Sequence, residues 1–261
     1  MPKHLRYLFG ILCCGWFLSV AAPVWAVDSS QLQQIDQAWQ LSVHALNDIN
    51  CSSCHVSHET QEFVAVPDQE SCRGCHEQSV DTFLYGKHGI RIHEGLSPLT
   101  PAMSHLPMLA DARDKAMNCN TCHDVHSVNT VAASVDSCLT CHDDTHSQNY
   151  LASKHGQMWL ADQVSLPRPS ANAVSCSTCH LPRHEEGSVV LVNHNNTYNL
   201  KPRDRMVKDV CLNCHGVEFA YNSIFDDDLI ENNFAEEPKL KMETFDLLRA
   251  YEKRRSDNDS G

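Results

Sequence analysis

Twelve cysteines and six histidines of this 261-residue chain fall into one recurring unit, Cys-x-x-Cys-His. The units are Cys51/Cys54/His55, Cys72/Cys75/His76, Cys119/Cys122/His123, Cys138/Cys141/His142, Cys176/Cys179/His180 and Cys211/Cys214/His215. Two thiols at this spacing, with a helical start between them, reach one edge of a porphyrin and can add to its two vinyl groups. The histidine that follows then lies under the ring and can ligate the iron. This is the attachment signal of c-type haem. Six covalently attached haem c groups are therefore expected. The chain has 14 cysteines, and the remaining two, Cys13 and Cys14, lie near the N-terminus. Zinc does not require a histidine after every second cysteine, and a dithiol oxidoreductase needs one such pair on a βαβ scaffold.

Each iron needs a sixth ligand or an open position. Of 17 histidines, six close the motifs and His4 lies at the N-terminus. Ten remain: His44, His58, His88, His93, His105, His126, His146, His155, His184 and His194. That is enough for every iron to carry two histidines. An internal repeat ranks them. Residues 50–89 and 118–156 form matching dihaem modules. His58 and His126 each follow a motif histidine by three residues, and His88 and His155 each stand in a Lys-His-Gly. A histidine three residues on cannot reach the far side of its own ring, so His58 and His126 are expected to serve neighbouring haems. These four rank first, His194 next, and His146 before His184 as the sixth. His44 is a possible ligand but reads first as a surface histidine. Met103, Met158 and Met206 are the methionine alternatives and rank below the histidines.

The positioning elements are short. Residues 1–26 read as a secretory signal peptide, with Lys3 and Arg6, an apolar stretch at Leu8–Ala22 and a cleavage-like Val24-Trp25-Ala26. A periplasmic location follows, with an uncleaved membrane anchor as the alternative. Residues 27–261 then form the hexahaem domain. A helix is expected at Ser30–Ile49, capped by Ser29 or Ser30, its stripe packed over the first haem. Ile90–Met103 reads as a linker, Leu109–Met117 as a short helix and Gln157–Val174 as a loop. Val189–Val192 reads as a β-like run. Residues 216–261 form an acidic tail with a helix at Lys239–Arg254 and a disordered end at Arg255–Gly261. The fold class is mainly α with long loops and little β. With 235 residues for six porphyrins, a compact body with a haem-filled core is expected, and a chain without haem is not expected to fold.

Without Lys3 and Arg6 the chain has 18 basic and 33 acidic residues, net −15. That charge opposes binding to nucleic acid or an anionic membrane surface. It either keeps an exported protein soluble or steers a partner with a basic face.

The stretch Cys138–Cys214 resembles the hydroxylamine oxidoreductase and octahaem cytochrome family, and more distantly the pentahaem nitrite reductases. The resemblance rests on CLTCHDDTHSQNYLASKHG, SCSTCHLPRHEEG, Val192-Asn193-His194, and Arg205-Met206 ahead of CLNCH. It implies that His155 and His194 are distal ligands. The sequence departs from that family in length and in lacking most of the long C-terminal region whose tyrosine cross-links the catalytic haem. Lysine, the proximal ligand of the active haem in nitrite reductases, is absent from all six motifs.

The expected function is electron transfer between redox partner proteins, a membrane quinol dehydrogenase or a terminal reductase being the types considered. No catalytic residue is assigned. The alternative is an enzyme acting on hydroxylamine, nitrite or a small sulfur oxyanion at one open haem, lined by Arg203, Arg205, Tyr150 or Tyr198. A third reading stacks haems across subunits of an oligomer.

Overall fold

A computed structural model describes residues 28–57, 59–165 and 173–259. The leader, His58 and Pro167/Pro169 lie outside the described residues. The chain is mainly helical, built from short segments. In order these are α1 (Ser29–Gln40), α2 (Cys51–His55), α3 (Glu70–Tyr85), α4 (Ile90–His93), α5 (Cys119–Cys122), α6 (Thr130–Ser134), α7 (Asp136–Leu139), α8 (Thr145–Asn149) and α9 (Lys154–Ser165). Then follow α10 (Cys176–His180), the strands β1 (Arg183–Glu186) and β2 (Val189–Val192), α11 (Asp204–Asp209), α12 (Val217–Ile224), α13 (Asp227–Glu231) and α14 (Glu243–Asp259).

Several expected boundaries move. The cap of α1 is Asp28, one residue before the serines. Its carboxylate accepts from Ser30 N–H, and Gln31 three residues on reaches back to Asp28 N–H at 3.3 Å. Asp28 and Gln31 together make a capping box. The helix stops at Gln40, and Leu32, Val43 and Leu46 of its expected stripe are exposed. Leu109–Met117 contributes only one 3₁₀ turn, Ala110–Ala112. Its backbone bonds go instead to the preceding linker: Ala102 N–H donates to Arg113 O at 3.1 Å and Met117 N–H to Leu99 O at 2.9 Å.

Gln157–Ser165, read as loop, is the continuation of α9. A proline disfavours helix at the residue before it, so Pro167 is compatible with a helix that runs to Ser165. Arg255–Asp259, read as disordered, is the last turn of α14. β2 has a partner that the sequence reading missed. It pairs antiparallel with β1, Arg183 opposite Val192 and Glu186 opposite Val189. Gly187 takes the left-handed turn position at φ 64°.

Among the described residues, seven of the twelve buried apolar residues form two small clusters. Val135, Tyr150 and Trp159 pack with Val131, Leu139, Ala173 and Cys176. Met206, Val207, Ala220 and Ile224 pack with Cys179, Val210, Cys211, Tyr221, Ile230 and Phe234. Both clusters include motif cysteines, so the polypeptide's own core lies against the cysteine motifs.

Candidate haem centres

Three motifs begin a helix in the same way. Asn50, Asn118 and Ser175 are the caps of α2, α5 and α10. In each, the residue before the second cysteine returns a hydroxyl to the cap N–H: Ser53 at 3.3 Å, Thr121 at 3.0 Å and Thr178 at 3.0 Å. A capping box thus sits inside Cys-x-x-Cys and holds both thiols on one turn. In α3, which carries Cys72 and Cys75, the backbone leaves helical geometry at His76 and resumes after it.

The fourth and sixth motifs are less regular, although His142 N–H still bonds Cys138 O at 3.0 Å and His215 N–H bonds Cys211 O at 2.9 Å. In the fourth motif α7 begins before Cys138 and ends at Leu139, so Cys141 stands beyond the helix, in a turn. The physical reason is a contact with a distant segment. Leu109 N–H donates to Cys141 O at 2.9 Å, and Met108 forms an antiparallel bridge with His142. That carbonyl is drawn to the segment ahead of the module and does not continue the helix. The Cys141 Sγ lies 3.8 Å from Thr140 Oγ1. The sixth motif departs too: it is a 3₁₀ turn at Cys211–Asn213, with Cys214 just past its end. All twelve motif cysteines are free of disulfides.

Each of the six motif histidines faces one other histidine. His55 stands opposite His126 at 6.3 Å between ring centres, and His76 opposite His44 at 6.0 Å. His123 faces His194 at 6.2 Å, and His142 faces His88 at 6.4 Å. His180 faces His146 at 6.2 Å, and His215 faces His155 at 6.2 Å. The sequence ranking singled out His88, His126, His146, His155 and His194, and all five are in these pairs. The ring facing His76 is His44, which was read first as a surface histidine. The repeat hid it, because His44 precedes the first motif and has no counterpart in the second module. His184 stands elsewhere, its Nε2 2.7 Å from Gln78 Nε2 and 3.8 Å from Glu186. His93 meets Tyr85 edge-on at 5.3 Å.

Three of these rings have Nδ1 at a backbone carbonyl. His55 Nδ1 lies 2.8 Å from Val64 O, His146 Nδ1 2.6 Å from Ile230 O, and His194 Nδ1 2.9 Å from Val192 O. A ring that donates Nδ1–H to a carbonyl leaves Nε2 unprotonated and free to bind metal. Burial also favours the neutral form. It pushes His88 and His180 down to about 4 and lowers His44, His123, His155 and His194. Burial pushes the Cys122 thiol up to about 11 and the Cys179 thiol up to about 12.

Successive motifs touch in chain order. The Cys54 thiol feels Cys72 and Cys75. The Cys72 and Cys119 thiols influence each other's titration, as do those of Cys138 and Cys176. Cys122 feels Cys138 and Cys141, and Ser137 Oγ donates to Cys122 O at 2.6 Å, tying the third motif to the fourth. Cys179 and Cys211 join one apolar cluster. The six motifs therefore form a continuous series from first to last.

These residues fit a haem. Two imidazole nitrogens about 2 Å from a metal on opposite sides, each about 1 Å from its own ring centre, put the centres about 6 Å apart. The observed pairs span 6.0 to 6.4 Å. Among the described residues no three His, Cys, Asp or Glu groups converge as a zinc or calcium site needs. The histidines come instead in pairs, with interplanar angles from 4° to 87°. Trp159 Nε1, Gln163 Nε2, Asn196 Oδ1 and Asn199 Oδ1 are buried without a partner. Buried polar atoms are rarely left so, and an acceptor such as a haem propionate would satisfy the two N–H donors.

The residues considered for a substrate pocket are engaged within the protein. Tyr150 is buried and its hydroxyl donates to Val174 O at 2.7 Å. Arg203 bonds Ile224 O and Asp227. Arg205 donates to Tyr198 O and lies over the Tyr198 ring at 4.5 Å. No protein-family model and no curated protein sequence matches the chain. No helix among the described residues is long and apolar enough to cross a membrane.

Proposed function

We propose that this chain is an exported hexahaem c-type cytochrome that carries electrons between redox partners. The observation that carries the reading is that each motif histidine has a second imidazole facing it at the spacing of trans ligation. In this reading no iron keeps an open position for substrate.

The cysteine pairs hold each porphyrin covalently, and the histidine pairs clamp its iron. When bound, each haem supplies a one-electron couple. Histidine in place of methionine as the second ligand favours low potentials. The contacts between successive motifs support a single series of closely spaced centres with the first and sixth at its ends. The small size of the two apolar clusters supports a core completed by the porphyrins. The acidic balance favours partners with a basic docking face.

Electron paramagnetic resonance of the oxidised protein tests this. Six low-spin irons, with no high-spin signal and no change on adding cyanide, nitrite or hydroxylamine, are expected. A high-spin iron that takes up one of these ligands would favour the enzymatic reading.

A further inference from the structure

The two Lys-His-Gly motifs contain a glycine whose purpose the ligand pairs do not explain. Neither Gly89 nor Gly156 sits at positive φ, and Gly89 takes φ −109°, open to any residue. The constraint is space. A Cβ on Gly89 would lie 2.3 Å from Phe83 O and 2.9 Å from Leu84 Cα. A Cβ on Gly156 would lie 2.0 Å from Tyr150 O and 2.8 Å from Leu151 Cα. The two glycines thus occupy the same place, each against the carbonyl six residues before it.

That carbonyl is itself held. Phe83 O accepts from Gly86 N–H at 3.0 Å. Tyr150 O accepts from Ser153 N–H at 3.0 Å and from Ser153 Oγ at 2.7 Å. The Ser153 hydroxyl in turn accepts from Gly156 N–H at 3.1 Å. The carbonyl cannot retreat without breaking these bonds, so an added methyl group displaces the turn that carries the neighbouring histidine.

We propose that Gly89 and Gly156 are positioning residues that set the reach of His88 and His155 toward the metal sites of His142 and His215. The proposal rests on the hexahaem reading above. An alanine Cβ must move from 2.3 or 2.0 Å to at least 3.0 Å from the carbonyl. A metal–ligand distance tolerates only about 0.2 Å. The displaced imidazole therefore loses its iron, and the other five sites keep theirs. Gly216 follows the motif histidine His215 and provides a control, because a Cβ there meets nothing within 4 Å.

The test uses full-length holoprotein from a cytochrome-maturing host, as wild type, Gly89→Ala, Gly156→Ala and Gly216→Ala. Intact mass counts attached haems, and electron paramagnetic resonance reads their spin states before and after added imidazole. Gly89→Ala and Gly156→Ala are each expected to keep six haems, lose one low-spin component and gain one high-spin component. Imidazole should restore the lost signal, and Gly216→Ala should match wild type. Unchanged spectra for both glycine variants would overturn the proposal. So would a loss that imidazole does not reverse, or a general failure of haem attachment, since either means that the glycines only support folding. A wild-type protein without six low-spin haems would instead sink the hexahaem reading.

Discussion

His44 faces His76 at 6.0 Å, although His44 precedes the first cysteine motif and His76 closes the second. The chain passes through the whole first motif before it meets this partner. The other pairs also join distant segments. His126, three residues after the third motif histidine, faces His55 of the first, and His194 on the far side of the β-hairpin faces His123. Each of these pairs thus joins one segment of chain to another, and in the proposed reading the second imidazole would also complete a metal site.

His44→Ala should therefore turn one iron high-spin while all six haems stay attached. His184→Ala should leave the spectrum unchanged, because its ring meets Gln78 and Glu186, with no motif histidine opposite. Electron paramagnetic resonance with intact mass checks both. A normal spectrum from His44→Ala would mean that the His44–His76 pair does not bind metal.

The capping boxes inside the motifs have a measurable weight. Asn118→Ala removes the acceptor for the first N–H groups of α5 and should cost about 1 kcal/mol. Asn50→Ala at α2 should cost a similar amount. Denaturant unfolding of the holoproteins measures this, and unchanged midpoints would show that haem attachment alone holds these turns.

Acid should loosen the C-terminal segment first. Asp226 accepts from Leu229, Lys239 and Leu240 N–H, and these bonds hold its carboxyl below the usual range. Its stabilising effect is present above the ordinary carboxylate pKa of about 4 and is lost as pH falls through the lowered folded value. Limited proteolysis across that window should release residues 239–259 from wild type as pH falls. Asp226→Ala should be cut there already at neutral pH.

Haem removal should unfold the chain. The two apolar clusters comprise seven buried residues between them, too few to offset chain entropy of about 1–2 kcal/mol per residue. Expression without haem attachment should give a colourless product lacking a cooperative thermal transition by circular dichroism. A cooperative transition from that product would show that the polypeptide core suffices.

What the sequence determined by itself is local. The spacing Cys-x-x-Cys-His is set within a few residues, and the hydroxyls of Ser53, Thr121 and Thr178 that cap three of those turns stand in the same short stretches. The helical class, the strand at Val189–Val192 and most of the C-terminal helix were legible for the same reason: each depends on neighbours in the chain. The end of α9 was misread because two prolines were given more reach than they have. The turn at Cys141 was not legible, because the Leu109 N–H that takes its carbonyl lies in another segment. The tertiary structure decided the pairing. A repeat tells that His88 and His155 are equivalent, but their partners, His142 and His215, lie in different segments and are reached only through folding. Which imidazole meets which depends on contacts between residues far apart in sequence, and neither spacing nor composition carries that information. The crowding at Gly89 and Gly156 is of the same kind, since a glycine at ordinary φ gives no sign in the sequence of the carbonyl pressed against it.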